Sequence, residues 1–134
     1  MDKQRLLELI CFAHAIVGAV FGIIFIFFAD FYVPLLWPTT DTITLRVLGA
    51  AIIGFGFGSI IAWKRVDWEK VRIIIEVEML WLTIAIIVMF YEVLLPLLPW
   101  VYTPSPPILI WVYIVLFIAF DAAFFYVYYL FRKS

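Results

Sequence analysis

The chain has 134 residues, of which 68% are hydrophobic and 14% are charged, and its formal net charge is −1 at pH 7. This composition excludes an ordinary soluble globular domain, and the lack of a basic stripe argues against nucleic acid as a partner. The single cysteine, Cys11, excludes an internal disulfide and a dithiol redox pair. The sequence therefore predicts an integral membrane protein.

Four apolar runs are long enough to cross a hydrocarbon core of about 30 Å at about 1.5 Å per residue. We predict spans over about residues 6–28, 43–63, 71–95 and 108–131, which form a single transmembrane domain over residues 1–134. The first run is too long for a cleaved signal peptide, whose apolar region has about 7–15 residues. The predicted fold is therefore all-α, a bundle of four transmembrane helices in an antiparallel up-down arrangement.

The connections between the predicted spans are short and carry helix-breaking residues or charges. The first, DFYVPLLWPTTD over residues 30–41, contains two prolines and is expected to be a broken segment at the membrane interface, with Tyr32 and Trp37 at headgroup level. The second, KRVDWEK, is a short charged turn, and the third, PLLPWVYTPSPP, has five prolines that prevent a continuous helix.

Lysine and arginine near span ends predict the orientation of the chain, because such residues are retained in the cytoplasm. Only Arg46 lies toward one side of the predicted membrane, and all the other basic residues lie toward the opposite side. We therefore expect a multi-pass protein of the plasma membrane with both termini in the cytoplasm. The basic residues on the cytoplasmic side are Lys3, Arg5, Lys64, Arg65, Lys70, Arg72, Arg132 and Lys133.

Small residues recur at every fourth position of the second span and at the same spacing in the first, which allows close helix packing. Two interpretations are open: the first two spans pack against each other within the chain, or the stripe is a homodimer face. We favour the first, because elements joined by a short connection are usually adjacent. The residues are Ala50, Gly54, Gly58 and Ala62 in the second span, and Gly18 and Gly22 in the first.

Three ionisable residues, His14, Glu78 and Asp121, lie within about 8 Å of the midpoints of their spans, all displaced toward the cytoplasm. They are either structural hydrogen-bonding contacts between helices or a functional cluster that relays protons, holds a divalent metal or anchors the polar head of a lipophilic ligand. We expect His14 to be the partner of Glu78. Trp81, about one turn further on, is a candidate wall of a ligand pocket or a core or lipid-facing residue.

On the outer side, one arginine and several acids predict a polar tie between the first connection and the second and third spans. The alternative is a site for an anion or a lipid headgroup, built from the arginine and the start of the second helix. The residues are Arg46, Glu92, Asp30 and Asp41.

The stretch LRVLGAAIIGFGFGSIIAWKR, preceded by FYVPLLWP, resembles the first half of small four-span bacterial and archaeal proteins of the DoxX-like type. In those families an arginine followed by Gly-Ala opens the second span, and here these residues are Arg46, Gly49 and Ala50. The resemblance implies a four-helix bundle, associated in some relatives with sulfur or redox metabolism. Because it lacks a thiol pair, this chain gives no independent support for a redox role.

Motifs of common enzymes are absent: the sequence has no P-loop, GxSxG, HExxH or second histidine, and no cofactor or metal is expected. Our first hypothesis is a non-enzymatic binding, assembly or accessory subunit in the lipid bilayer, associated with another membrane subunit or with a homodimer partner. The alternative is a proton-coupled transporter or a membrane protein that binds a lipid or other lipophilic ligand through His14, Glu78 and Asp121.

Overall fold

The structure is a computed structural model that describes residues 2–36, 42–65, 67–94 and 108–133. These residues form five helices, and four of them are long and apolar enough to cross a membrane, which confirms an all-helical fold with four candidate spans. The four long helices begin and end within a few residues of the predicted runs. The helices are α1 (Lys3–Phe27), α2 (Ala29–Leu36), α3 (Thr42–Arg65), α4 (Trp68–Leu94) and α5 (Ile108–Arg132).

The first connection is more helical than predicted. α1 stops where Phe28 leaves the helical conformation, and the N–H groups of Phe31 and Tyr32 then donate to the Phe28 carbonyl, which starts α2. α2 contains Pro34, and so short a helix loses only one hydrogen bond to a proline. The predicted interfacial Trp37 lies outside the described residues.

α1 and α3 pack so closely that their backbones are in contact. A Cβ atom built on Gly18 would lie 3.2 Å from the carbonyl oxygen of Ile52 and 3.3 Å from Cα of Gly56. Gly22 and Gly49 form a second close approach further along the pair. Both glycines predicted in the first span therefore pack within the chain, because the lack of a side chain allows the helices to meet.

The face of α3 that meets α1 differs from the predicted stripe. Gly49 and Gly56, seven positions apart, supply the contact, whereas Ala50 and Gly54 are exposed. A Cβ atom built on Gly54 would have no described atom within 4 Å, so the predicted packing of Ala50 and Gly54 on the first span is wrong within this chain. The reason is the helical repeat. Gly49 and Gly56 are about two turns apart and so share the face of α3 that meets α1, whereas Ala50 and Gly54 lie on other faces of the helix.

The other two residues of the predicted stripe pack inside the bundle, and Ala62 belongs to the same apolar cluster as Leu7 and Cys11 of α1. A Cβ atom on Gly58 would lie 3.4 Å from Cγ2 of Ile74, so Gly58 faces α4. Ala62 is fully buried in the apolar core. The predicted stripe is therefore divided between an exposed part and a part that packs inside the bundle.

The apolar core has two layers, one near each end of the bundle. The first, which we call the Leu7 layer, joins Leu7 of α1 to Ala62 of α3, Val71 of α4 and Val127 of α5. The second, the Phe25 layer, joins residues from the other ends of three long helices, namely Phe25, Leu45 and Tyr113. Between the two layers the side chains do not fill the bundle, and the candidate site lies there.

Candidate functional site

A buried hydrogen-bonded bridge joins three of the four long helices. Ser59 Oγ lies 2.9 Å from Nδ1 of His14 and 3.1 Å from Oε1 of Glu78, while Nδ1 and Oε1 are 3.8 Å apart. The exposed fractions of His14, Ser59 and Glu78 are 8%, 0% and 1%. We call this set the His14–Ser59–Glu78 bridge. The structure thus brings together two of the three predicted intramembrane residues through a serine.

The close packing of α1 on α3 positions the bridge. His14 is one turn before Gly18, on the face of α1 that meets α3, and Ser59 is three residues after Gly56, on the face that meets α1. Ser59 is short enough to fit between the two helices and to reach α4 at the same time. Ser59 is therefore the residue of the bridge that the sequence did not single out.

Two phenylalanines of α5 contact the imidazole of His14. The ring centroids of Phe120 and Phe124 lie 4.9 Å and 5.3 Å from the imidazole centroid, and both pairs are in edge contact, at 72° and 81°. Aromatic edge contacts of this kind fix a ring orientation. All four long helices therefore contribute to the placement of His14.

Asp121 is not part of this bridge. Its Oδ2 accepts a hydrogen bond of 3.1 Å from Thr83 Oγ1, which joins α5 to α4. Thr83 and Glu78 are five residues apart on α4 and so point in directions that differ by about 140°. The predicted cluster of His14, Glu78 and Asp121 is thus divided into two separate contacts, and no three His, Cys, Asp or Glu side chains within the described residues are grouped as metal ligands.

A cavity of about 420 Å³ lies between the four long helices. This volume falls within the range of about 300–1,000 Å³ that is usual for small-molecule sites. The lining is almost entirely apolar, and the lining residues whose side chains contain a nitrogen or oxygen atom are His14, Trp81 and Tyr113. Residues of the Phe25 layer line one end, and His14 lies toward the Leu7 layer at the other.

Trp81 forms part of the cavity wall. Its ring lies between Phe55 of α3 and Phe117 of α5, at centroid distances of 4.8 Å and 5.3 Å. All three rings line the cavity. Trp81 also packs, partly buried, against the Leu7 layer, so it is both a core residue and part of the cavity wall.

The cavity reaches the surface of the bundle between α3 and α4. Three of its lining residues on these helices, Leu48, Ile84 and Val88, have exposed fractions of 38%, 52% and 53%. They lie away from the ends of long apolar helices. An opening at this depth would lead to the hydrocarbon of a bilayer.

A second and smaller space, about 210 Å³, lies on the other side of the α3–α4 contact. Gly54, Gly58 and Val77 line it together with Glu78. The buried Oε2 atom of Glu78 has no hydrogen-bonding partner among the described residues. The polar bridge therefore runs from the wall of the large cavity to the wall of this smaller groove.

The outer polar tie connects Arg46 to the junction of α1 and α2. Nη2 of Arg46 lies 3.2 Å from Oδ2 of Asp30, and its Nε donates to the carbonyl of Ile26, also at 3.2 Å. The last carbonyls of a helix lack partners within the helix and attract a cation. Arg46 does not pair with Glu92 among the described contacts, so this part of the predicted tie is wrong, and Asp41 lies outside the described residues.

Comparison with known proteins gives no match to this chain. No protein-family model matches it, and neither the search of curated proteins nor the search of solved structures gives a significant match. The resemblance to the DoxX-like type stays a prediction. The cavity and the bridge are therefore the features of this chain that point to a function.

Proposed function

We propose that this protein is a multi-pass membrane protein that binds a lipophilic molecule in its central cavity and does not catalyse a reaction. The observation that carries the proposal is the apolar cavity of about 420 Å³ with His14 at one end. Protein interiors are normally close-packed, with few voids larger than a water molecule. A bundle that served only as a structural partner would have no need of such a space.

The form of the cavity supports a lipophilic ligand in particular. Its wall is built mainly from aliphatic and aromatic side chains, and its exposed lining residues lie on helices that are apolar over their length. Binding sites for small molecules combine a mostly apolar lining with a few fixed polar groups. Here the fixed polar group is His14, which is held by Ser59 and by two aromatic rings.

The proposal includes an orientation in the plasma membrane. Both core layers join the beginning of one long helix to the end of another, which supports an antiparallel up-down order of the four spans. All lysines and arginines except Arg46 then lie on the side of the termini. The positive-inside tendency supports a cytoplasmic location for both termini.

A second candidate function is that of an assembly or accessory subunit. Ala50 and Gly54, four residues apart, are exposed on α3, and a spacing of this kind is common where transmembrane helices associate. A second copy of the chain or another membrane subunit would cover them. In this case, Ala50→Leu and Gly54→Leu should change the oligomeric state in detergent without an effect on ligand binding.

Quenching of Trp81 by a brominated alkane tests the ligand-binding proposal. We expect 1-bromododecane to quench the purified full-length protein in nanodiscs saturably, and the saturable part to disappear in Trp81→Phe, because Trp81 lines the cavity. Ala85→Phe, which would fill the cavity, should weaken binding by at least about tenfold. The matched control is Ala119→Phe on the exposed face of α5, which should bind as the wild type does.

The same measurement can overturn the proposal. Quenching that rises linearly with the amount of bromoalkane would reflect partition into the lipid alone. Equal saturable quenching in Ala85→Phe and in the wild type would place the binding site elsewhere.

A further inference from the structure

The imidazole of His14 has a second nitrogen atom, Nε2, outside the bridge. The hydrogen bonds within the bridge indicate whether Nε2 is a donor or an acceptor. Nδ1 is bonded to Ser59, whereas Nε2 forms no hydrogen bond with the described residues. The side chain lines the cavity. The fully buried side-chain atoms without a partner among the described residues are Oε2 of Glu78 and Oδ1 of Asp121, so the unpartnered Nε2 borders open space and a ligand in the cavity would meet it. The chemistry of this contact depends on whether Nε2 carries a hydrogen.

The serine restricts the possibilities, because its hydroxyl has a single hydrogen. Ser59 donates that hydrogen either to Oε1 of Glu78 or to Nδ1 of His14, and it accepts a hydrogen bond from the other. The positions of hydrogens on a hydroxyl, a carboxyl group and an imidazole are linked in this way. Whether Nε2 of His14 carries a hydrogen thus depends on whether Glu78 carries one and on which of its two oxygens.

If Ser59 donates to Glu78, Nδ1 of His14 carries a hydrogen, and a neutral imidazole then has a bare Nε2. In this arrangement Glu78 either holds a full negative charge without a cation or carries its hydrogen on Oε2. A carboxylate without a cation is costly in a membrane interior. A hydrogen on Oε2 leaves an O–H group without an acceptor, because Oε2 is buried and has no described partner.

If Ser59 donates to His14, Glu78 carries its hydrogen on Oε1 and donates it to Ser59. All three groups are then neutral, and the hydrogen of the imidazole is on Nε2. This hydrogen also lacks an acceptor among the described residues, but Nε2 is not a fully buried atom, whereas Oε2 of Glu78 is. The remaining arrangement without net charge pairs the carboxylate with a doubly protonated His14, and this also places a hydrogen on Nε2.

The surroundings of the bridge offer no other compensation for a charge on Glu78. From α5 the imidazole meets the rings of Phe120 and Phe124. Asp121, the ionisable residue of that helix segment, accepts from Thr83 instead. Among the described residues, His14 is the one cationic partner placed within 4.0 Å of Glu78.

We infer that His14 presents Nε2–H to the cavity and that the cavity selects an apolar molecule with a hydrogen-bond acceptor at one end, such as the carbonyl oxygen of a ketone or an ester. This inference rests on the proposed function, since it assigns the chemical class of the cavity ligand. The donor is held in place because Nδ1 is fixed by Ser59 and the ring by two phenylalanines.

The chain contains one histidine, so ¹⁵N labelling of histidine reports on this ring alone. We expect the NMR spectrum of the full-length protein in nanodiscs to show a protonated Nε2. Addition of 2-tridecanone should shift the Nε2 signal, whereas tridecane, which has no acceptor, should not. Competition against 1-bromododecane should show that the ketone binds at least about tenfold more tightly than the alkane.

Two variants test the role of the bridge. In Glu78→Gln the amide N–H can still donate to Ser59, so Nε2 should stay protonated and the preference for the ketone should be retained. In Ser59→Ala the link to Glu78 is removed, and the preference should fall. The wild-type spectrum gives its answer independently of both variants.

The outcomes separate the inference from the function on which it rests. A bare Nε2 in the wild type, or equal affinity for tridecanone and tridecane in the cavity, would overturn the inference and leave the lipophilic site intact. If quenching by 1-bromododecane is not saturable, or is equal in Ala85→Phe and the wild type, the proposed function itself fails, whether or not Nε2 is protonated.

Discussion

Gly22 of α1 and Gly49 of α3 lie so close that a Cβ atom built on either one would be 2.9 Å from the carbonyl oxygen of the other. A backbone carbonyl cannot rotate away as the end of a flexible side chain can. We therefore expect Gly22→Ala and Gly49→Ala each to lower the free energy of unfolding by about 1–3 kcal/mol, the usual cost of overpacking. Unfolding by SDS in mixed micelles, followed by circular dichroism, measures this change.

Gly54 provides the matched control for these variants, because it lies on the same helix and has no described atom within 4 Å of its Cβ position. Gly54→Ala should unfold at the same SDS fraction as the wild type. A loss of stability as large as that of Gly49→Ala would contradict the packing seam described here.

Ser59 should be important for stability as well as for ligand selection. Ser59→Ala removes the hydroxyl that bonds both His14 and Glu78, and it leaves two buried polar groups without that partner. We expect a loss of about 1–3 kcal/mol in the free energy of unfolding. Glu78→Gln should lose less, because its amide can still bond to Ser59, and a larger loss in Glu78→Gln than in Ser59→Ala would disagree with the bridge.

The contact between Arg46 and Asp30 predicts a small but measurable coupling free energy between the two residues. The side chains are 49% and 76% exposed, so solvent weakens the pair, and a double-mutant cycle of Arg46→Met and Asp30→Asn should give less than about 1 kcal/mol. The same cycle with Glu92→Gln should give no coupling beyond about 0.5 kcal/mol. Stronger coupling to Glu92 than to Asp30 would show that the arginine contacts α4 instead.

The turn before α4 contains an aspartate, Asp67, whose pKa is shifted. The hydrogen bond from Lys70, with Nζ 2.6 Å from Oδ2, lowers the pKa of Asp67 below its ordinary value. Because the pKa is lower in the folded state, this pair stabilises the fold above the ordinary pKa of aspartate, and the contribution is lost as pH falls through the lowered value.

Substitution at Lys70 tests this shift. In Lys70→Gln the pKa of Asp67 should rise toward the ordinary value of an aspartate, as measured by NMR titration of its side-chain carboxyl carbon. Glu69→Gln, which keeps the backbone N–H near Asp67, should leave the pKa where it is. An unchanged Asp67 titration in Lys70→Gln would show that the ion pair is not formed in the protein.

The number and length of the membrane helices could be predicted because they follow from the length of each apolar run. The common level of His14 and Glu78 along the bundle could be predicted for the same reason, since position along a helix is proportional to residue number, and the two residues do meet through Ser59. The failures concern rotation about the helix axis. Gly54 and Asp121 each face a direction that no single-helix pattern determines.

Two features of the site depend on how several helices meet. Ser59 could be identified as a buried hydroxyl at the right depth, but its contact with both His14 and Glu78 requires the position of α3 between α1 and α4. The cavity beside Trp81 is a space that packed side chains leave unfilled, and no local sequence pattern describes such a space. Sequence therefore predicts the elements, and their mutual contacts decide the site.

In the proposed function, the opening beside Leu48, Ile84 and Val88 determines between which molecules the cavity has to discriminate. A guest that enters at this depth is already dissolved in hydrocarbon, so transfer out of water contributes nothing to its selection. The acyl tails of the surrounding lipids compete with the guest for the cavity, and they are as abundant as a solvent. Occupancy is then governed by the mole ratio of guest to lipid, and the contact that a saturated tail cannot imitate is a hydrogen bond with His14.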